Sequence, residues 1–180
     1  MSIPSWAVSI HRPSILRACE EYGLDPSVVS AMVYHESSNV EWKTRAEVRP
    51  SQEKYLVSYR EMAKILSISE STEYYAQLHS WGLLQVMGYV ARELGHRGYL
   101  TELIDPIIGL TYGCRKLKKL YEKYGNDFDV ISAYNQGGPY KNESGMYKNQ
   151  KLYVDPIFRL IEEYRRKREA GDASITNIKS

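Results

Sequence analysis

The chain has 180 residues, 43% of them hydrophobic and 26% charged, with a formal net charge of +2. That is the size and balance of one globular domain with a single sizeable core. So mild a positive charge excludes a dedicated nucleic-acid binder, whose affinity rests on a strong cationic field, and no apolar run approaches membrane-spanning length. The opening MSIPSWAVSIHRPSILRACEEYG lacks a basic stretch followed by an unbroken apolar one, so cytoplasmic synthesis without a signal peptide is expected.

Helical punctuation dominates. Pro13 and Ser14 open a segment with Ile15, Leu16, Cys19 and Tyr22 at helical spacing, and Gly23 closes it. Asp25-Pro26 then reads as an N-cap with proline at the first helical position. The apolar face that follows holds Val28, Val29, Met32 and Val33, and Glu36 falls four residues after Met32, on that same face. Residues 40–79 carry many charges; an amphipathic stretch over Tyr59–Leu66 predicts a short helix, and a short strand is expected within 45–58. Ser80 to Gln85 reads as a turn entering a helix that ends near Leu94-Gly95.

Asp105-Pro106 repeats the cap-plus-proline device. The helix it opens is expected to reach Tyr124, with Ile107, Ile108, Leu110, Cys114, Leu117, Leu120 and Tyr121 inward and Gly125 as the stop. Asp127 is expected to cap a shorter helix through Val130, Ile131 and Tyr134, and Asn135–Gln150 to form a polar loop. A last helix starts near Asp155-Pro156 and runs out in Arg165–Arg168, read as a solvated C-terminus favoured by the macrodipole. The fold class is therefore mainly α, a single domain over 1–170 with a flexible tail at 171–180.

Cys19 and Cys114 lie on apolar stripes, outside any CxxC pair, and the four histidines are scattered. Buried free thiols, no metal site and no cofactor are the expectation. Sixteen tyrosines against two phenylalanines offer flat faces with a hydroxyl, which suit sugar contacts and half-buried packing alike.

Glu36 is the chemical candidate. A carboxylate on an apolar helix face loses hydration, which raises its pKa and keeps it protonated for general-acid work. The alternatives are a charge that turns back to solvent or one paired with a buried cation. Glu41, Glu47, Glu53, Glu61, Glu70 and Glu73 follow before Ser80, and no local context selects one of them as a second carboxylate. Gln85, Tyr134 and Asn135 stand at element boundaries, where amide and phenol groups can bond sugar hydroxyls or simply serve turns and caps.

In combination, His35-Glu36-Ser37-Ser38, Ser80-Trp81-Gly82-Leu83-Leu84-Gln85-Val86-Met87 and Ala133-Tyr134-Asn135-Gln136-Gly137 resemble the soluble-type lytic transglycosylase family. Asp105-Pro106 through Gly109, Gly113 and Leu117 resembles that family's central helix, and Tyr153-Val154 its entry to the final helix. The resemblance spans roughly residues 14–165. It implies a lysozyme-like helical domain related to the goose type; the separation from Glu36 to Ser80 is longer than in the shortest members, so 40–79 is expected to form an added cap over the cleft. It implies one catalytic residue, Glu36, acting as acid and then base on the N-acetylmuramic acid–N-acetylglucosamine bond of peptidoglycan to leave 1,6-anhydro ends. It also implies sugar contacts from Ser80, Gln85, Met87, Tyr134, Asn135 and Tyr153.

Some members of the family carry an acidic residue a few positions before the Tyr-Val pair, where this chain reads Lys148-Asn149-Gln150-Lys151. The alternatives are a goose-type-lysozyme-like muramidase that hydrolyses the same bond, and an inactive wall-binding virion component. A phage-like monomer, released or delivered to the wall by a holin, a secretion machine or a virion, completes the expectation.

Overall fold

The computed structural model of the chain describes residues 11–48 and 50–170; the amino-terminal segment 1–10 and the tail 171–180 lie outside them. Helices dominate, with one small sheet. Among the described residues the backbone divides into two compact units, one of residues 11–39 with 114–170 and one within residues 40–113.

The first unit is built around α2 (Pro26–Ser37). Asp25 caps it, its carboxylate accepting the Ser27 amide at 2.9 Å, and Pro26 occupies the first turn where no N–H is needed. Val28, Val29, Ala31, Met32 and Val33 are all buried, so α2 is a core helix and not a one-sided surface helix. It packs on α1 (Arg12–Tyr22) and on α8 (Asp155–Glu169). Ile157, Ile161 and Tyr164 bury the inner face of α8. The basic end of α8 is more than a solvated terminus. Arg165 reaches Asp25 at 2.8 Å and Asp127 at 3.1 Å, and Arg168 reaches Asp25 at 3.3 Å. The cap of α2, the start of α7 (Asp127–Gln136) and the end of α8 are thus tied through one cationic side chain.

The N-cap of α7 is Asn126, whose side chain accepts the Asp129 amide at 3.0 Å, and not Asp127. Asp127 sits one position inside, where its charge meets Arg165 and the Tyr121 hydroxyl. Cys19 and Cys114 are buried and free, as expected. Burial pushes the Cys19 thiol up to about 12 and the Cys114 thiol further still, so neither is poised as a nucleophile.

The second unit joins β1 (Thr44–Ala46), α3 (Tyr59–Leu66), α4 (Glu70–Gln77), β2 (His79–Trp81), β3 (Val86–Met87) and α5 (Gly88–Glu93) to the first part of α6 (Pro106–Tyr124). The segment 40–79 pairs and packs with the residues that follow it. The strands run in the order β1-β2-β3, both pairs antiparallel, with Arg45 opposite Ser80 and Ser80 opposite Met87. The expected direct turn into a helix at Ser80–Gln85 is therefore corrected to a hairpin. Two- and three-residue strands are too short for alternation to register in sequence. The inward set on α6 is right for Leu110, Cys114 and Leu117, but Ile107 in the first turn is 53% exposed, because a stripe drawn over nineteen residues does not register where cover begins.

A buried polar network organises this unit. Arg92 donates from Nε and Nη2 to the two oxygens of Glu73 at 2.7 and 2.9 Å, and from Nη1 to the carbonyls of His96 and Gly98. Gln77 adds a bond to Glu73 and holds the Val57 backbone through both its N–H and its carbonyl. Both ionic side chains are essentially fully buried, so each depends on the other for its charge.

Arg92→Leu should accordingly cost about 3–5 kcal/mol, while the double change Glu73→Leu/Arg92→Leu recovers much of it; denaturant unfolding of the three proteins measures this. The Asp25 carboxyl is desolvated, which alone would raise its pKa, but the Ser27 amide, Arg165 and Arg168 outweigh that and hold it below its ordinary 3.8. A depressed pKa stabilises the fold above the unfolded value and ceases to as the group protonates. The melting-temperature gap between wild type and Asp25→Asn should be full above about pH 5 and close as the pH falls below 3.8.

Candidate active site

Glu36 lies in the last turn of α2, half-buried. The helix stops one residue later without a glycine. Ser37 is buried and returns its hydroxyl to the Val33 carbonyl at 2.9 Å, and Ser38 and Asn39 both take positive φ, 56° and 64°. Two successive non-glycine residues in the left-handed region are costly and persist only where surrounding structure holds them. That turn ends α2 one residue after Glu36, which stays half-buried.

Tyr153 approaches from the other end of the chain and donates its hydroxyl to Glu36 Oε1. It is buried in a π-helical turn, Gln150–Val154, that precedes α8; the wider turn shifts the register of the side chains by one residue. The Tyr153 ring is met edge-on by His35, centroids 5.0 Å apart. Tyr134, from α7, is also buried, and burial first, then the charge of Glu36, raises its phenol well above its ordinary value. It is therefore a neutral hydroxyl at any working pH.

Three contributors do not stand among the sequence candidates. Lys116 donates from Nζ to the Tyr134 carbonyl at 2.8 Å and stands 3.7 Å from the centre of the Tyr134 ring. It falls three residues after Gly113 and four before Leu120, on the inward stripe of α6, so its spacing carried a signal. His35 is the second. The third is Asn149, four residues before Tyr153, in a stretch read as loop. That stretch is shorter and better ordered than expected: α7 runs on to Gln136, Lys141 bridges Tyr147, and the Tyr147 hydroxyl donates to Asp129 at 2.6 Å.

In the second unit, the candidates Ser80, Gln85 and Met87 share the β2–β3 hairpin. Gly82 takes φ +71°, and a Cβ there would lie 2.2 Å from the Leu103 carbonyl oxygen, so only glycine fits the turn. Gln85 is 7% exposed and also takes positive φ. Its amide donates to the carbonyls of Lys43 and Gly82, both at 2.9 Å, and accepts the Ser80 hydroxyl at 2.9 Å. Ser80 and Gln85 thus hold the hairpin together, and Met87, half-buried at its end, is the more open of the three. Asn135 is exposed at the end of α7. Among the described residues, no group of three or more His, Cys, Asp or Glu side chains could hold a metal ion, and no helix is long and apolar enough to cross a membrane.

A mainly helical, lysozyme-like chain with a glutamate at the end of its core helix defines the class. A model of the transglycosylase SLT domain matches residues 13–153, and the chain belongs to that family. Members are lytic transglycosylases, which cleave the glycan strands of peptidoglycan, and that is the activity and substrate of this protein at the level of its family. Comparison with curated proteins and with solved structures found no match.

Lys116→Met keeps the apolar stem but removes both the hydrogen bond and the cation over Tyr134. It should slow clearing of a peptidoglycan suspension about tenfold, with the circular dichroism spectrum unchanged.

Proposed function

We propose that the chain cleaves the N-acetylmuramic acid–N-acetylglucosamine bond without consuming water, with Glu36 serving as acid and then as base. One observation carries the reading: a half-buried carboxylate on the core helix takes a hydrogen bond from the Tyr153 hydroxyl and feels the buried phenol of Tyr134 beside it. Glu36 first gives its proton to the glycosidic oxygen, which leaves as the 4-hydroxyl of N-acetylglucosamine. The carboxylate then takes the proton of the muramic C6 hydroxyl, whose oxygen closes on its own anomeric carbon. The product is a 1,6-anhydro end, and Glu36 is returned protonated. A single residue can fill both roles only if its two protonation states are close in energy at working pH. An apolar helix with phenolic hydroxyls around its end supports that balance, since burial favours the acid and donated hydrogen bonds favour the carboxylate.

Tyr153 gives its one hydroxyl hydrogen to the carboxyl and leaves its oxygen as an acceptor for the sugar, while the neutral hydroxyl of Tyr134 is the donor available to the sugar passing it. Asn135 is a sugar contact at the end of α7. Met87 is a contact presented by the hairpin that Ser80 and Gln85 hold.

Glu36→Gln should stay folded, with an unchanged melting curve, and lose about 10³-fold or more in wall-clearing rate. Mass spectrometry of the wild-type products should find anhydro-ended muropeptides, lighter by one water than reducing ones. Reducing ends alone would transfer the reading to a hydrolytic, goose-type-lysozyme-like mechanism.

A further inference from the structure

The side chain of Asn149 is engaged at both of its polar atoms. Its Oδ1 accepts the Ser132 hydroxyl at 2.9 Å and the Gln136 amide at 3.3 Å, and its Nδ2 donates to the Ser132 carbonyl at 3.1 Å. Gln136 also donates to the Ser132 hydroxyl at 2.9 Å. These partners leave the amide of Asn149 no freedom. Turned over, it would set its NH₂ against the Gln136 NH₂ and its oxygen against the Ser132 carbonyl.

The second hydrogen of that NH₂ is directed at Asn135, whose Oδ1 accepts it at 3.2 Å. The orientation of Asn135 follows from this. With its oxygen occupied by a donor, the exposed side chain turns its own Nδ2 outward, and none of the described residues takes a bond from it.

We infer that Asn149 is a specificity-determining positioning residue: it locks Asn135 so that a hydrogen-bond donor faces the glycan, which therefore has to offer an acceptor oxygen at this point. The inference rests on the reading of Asn135 as a sugar contact. A carboxylate at position 149 would reverse the polarity, because it could only accept from Asn135 and would turn the Asn135 oxygen outward. The amide at 149 in this chain thus selects for a carbonyl or carboxylate on the substrate and against an amine. Two groups of peptidoglycan supply such an oxygen: the acetamido carbonyl that both sugars carry, and the lactyl group that only the muramic residue carries. The same residue also anchors the neighbouring machinery, since the backbone carbonyl of Asn149 accepts the Tyr153 amide at 3.0 Å and the Val154 amide at 3.3 Å, the second being the five-residue bond that opens the π turn.

Asn135→Asp is the direct test. One carboxylate oxygen keeps the bond from Asn149 while the other replaces the outward donor with an acceptor, so packing and the Ser132–Gln136–Asn149 network are retained. The KM for glycan strands should rise about tenfold with kcat within about twofold and the melting curve unchanged, as expected when a buried or bound acceptor loses its donor. Asn149→Asp should reproduce the rise in KM by turning the Asn135 oxygen outward.

Equilibrium binding of N-acetylglucosamine oligomers identifies the acceptor. Weakened binding in Asn135→Asp points to the acetamido carbonyl, and weakening confined to muramic-containing strands points to the lactyl group. Unchanged KM and unchanged binding in Asn135→Asp would overturn the inference. A wild-type protein that leaves glycan uncut would instead overturn the functional reading, so the two failures are distinguishable.

Discussion

Helix α2 has almost no solvent side, and yet it ends in a carboxylate. Five of its residues between Val28 and Val33 are buried, so the helix has to sit inside the first unit with α1 and α8 against it. Its position is then decided by packing, at a tolerance of well under an ångström, and whatever stands in its last turn inherits that precision. Glu36 stands there. The left-handed pair Ser38 and Asn39 ends the helix just past that carboxylate, which stays half-buried. The ion pairs from Arg165 to Asp25 and Asp127 fasten the opposite end. A carboxylate held by core packing, and reached by a phenol on a turn of irregular pitch, needs no mobile part to be in place.

The second unit solves a similar problem with charge. Arg92 and Glu73 are buried together with Gln77, and their bonds run to the backbone at Val57, His96 and Gly98. Such a network contributes less net stability than apolar packing of the same volume, but any misfolded arrangement would strand an unpaired charge. It therefore specifies how α4 and α5 meet the loops around them. The β2–β3 hairpin lies between those two helices in the chain. Its own interior is held by amide and hydroxyl bonds from Gln85 and Ser80, so residues that resemble sugar contacts by motif also serve the turn itself.

Much of this was legible from one chain. Proline after a capping aspartate located α2, and the Met32–Glu36 spacing placed the acid on the buried face. The amphipathic stretch Tyr59–Leu66 is a helix over that same span. These features depend on neighbours within a turn, which periodicity reports. The hairpin at Ser80–Met87 escaped because strands this short carry no pattern, and Ile107 was placed inward because a stripe does not show where its cover ends. Lys116 could have been noticed as a cation on an inward stripe. Asn149 stood out only as part of a stretch that departs from the resembled family; its contacts did not, because its side-chain partners lie thirteen or more residues away and its own segment looks like loop.

The amino-acid sequence by itself determined the helical class and the family, and it singled out Glu36 as the candidate acid, because those reside in local spacing and in motifs a few residues long. The tertiary structure alone decided which groups meet the acid and which way they face. That Tyr153 reaches Glu36 across 117 residues, that Lys116 lies over Tyr134, and that Asn149 donates to the side-chain oxygen of Asn135 are outcomes of packing between distant segments. A hydrogen bond is fixed by angles and by which atom is already occupied, and neither is written in the order of the residues.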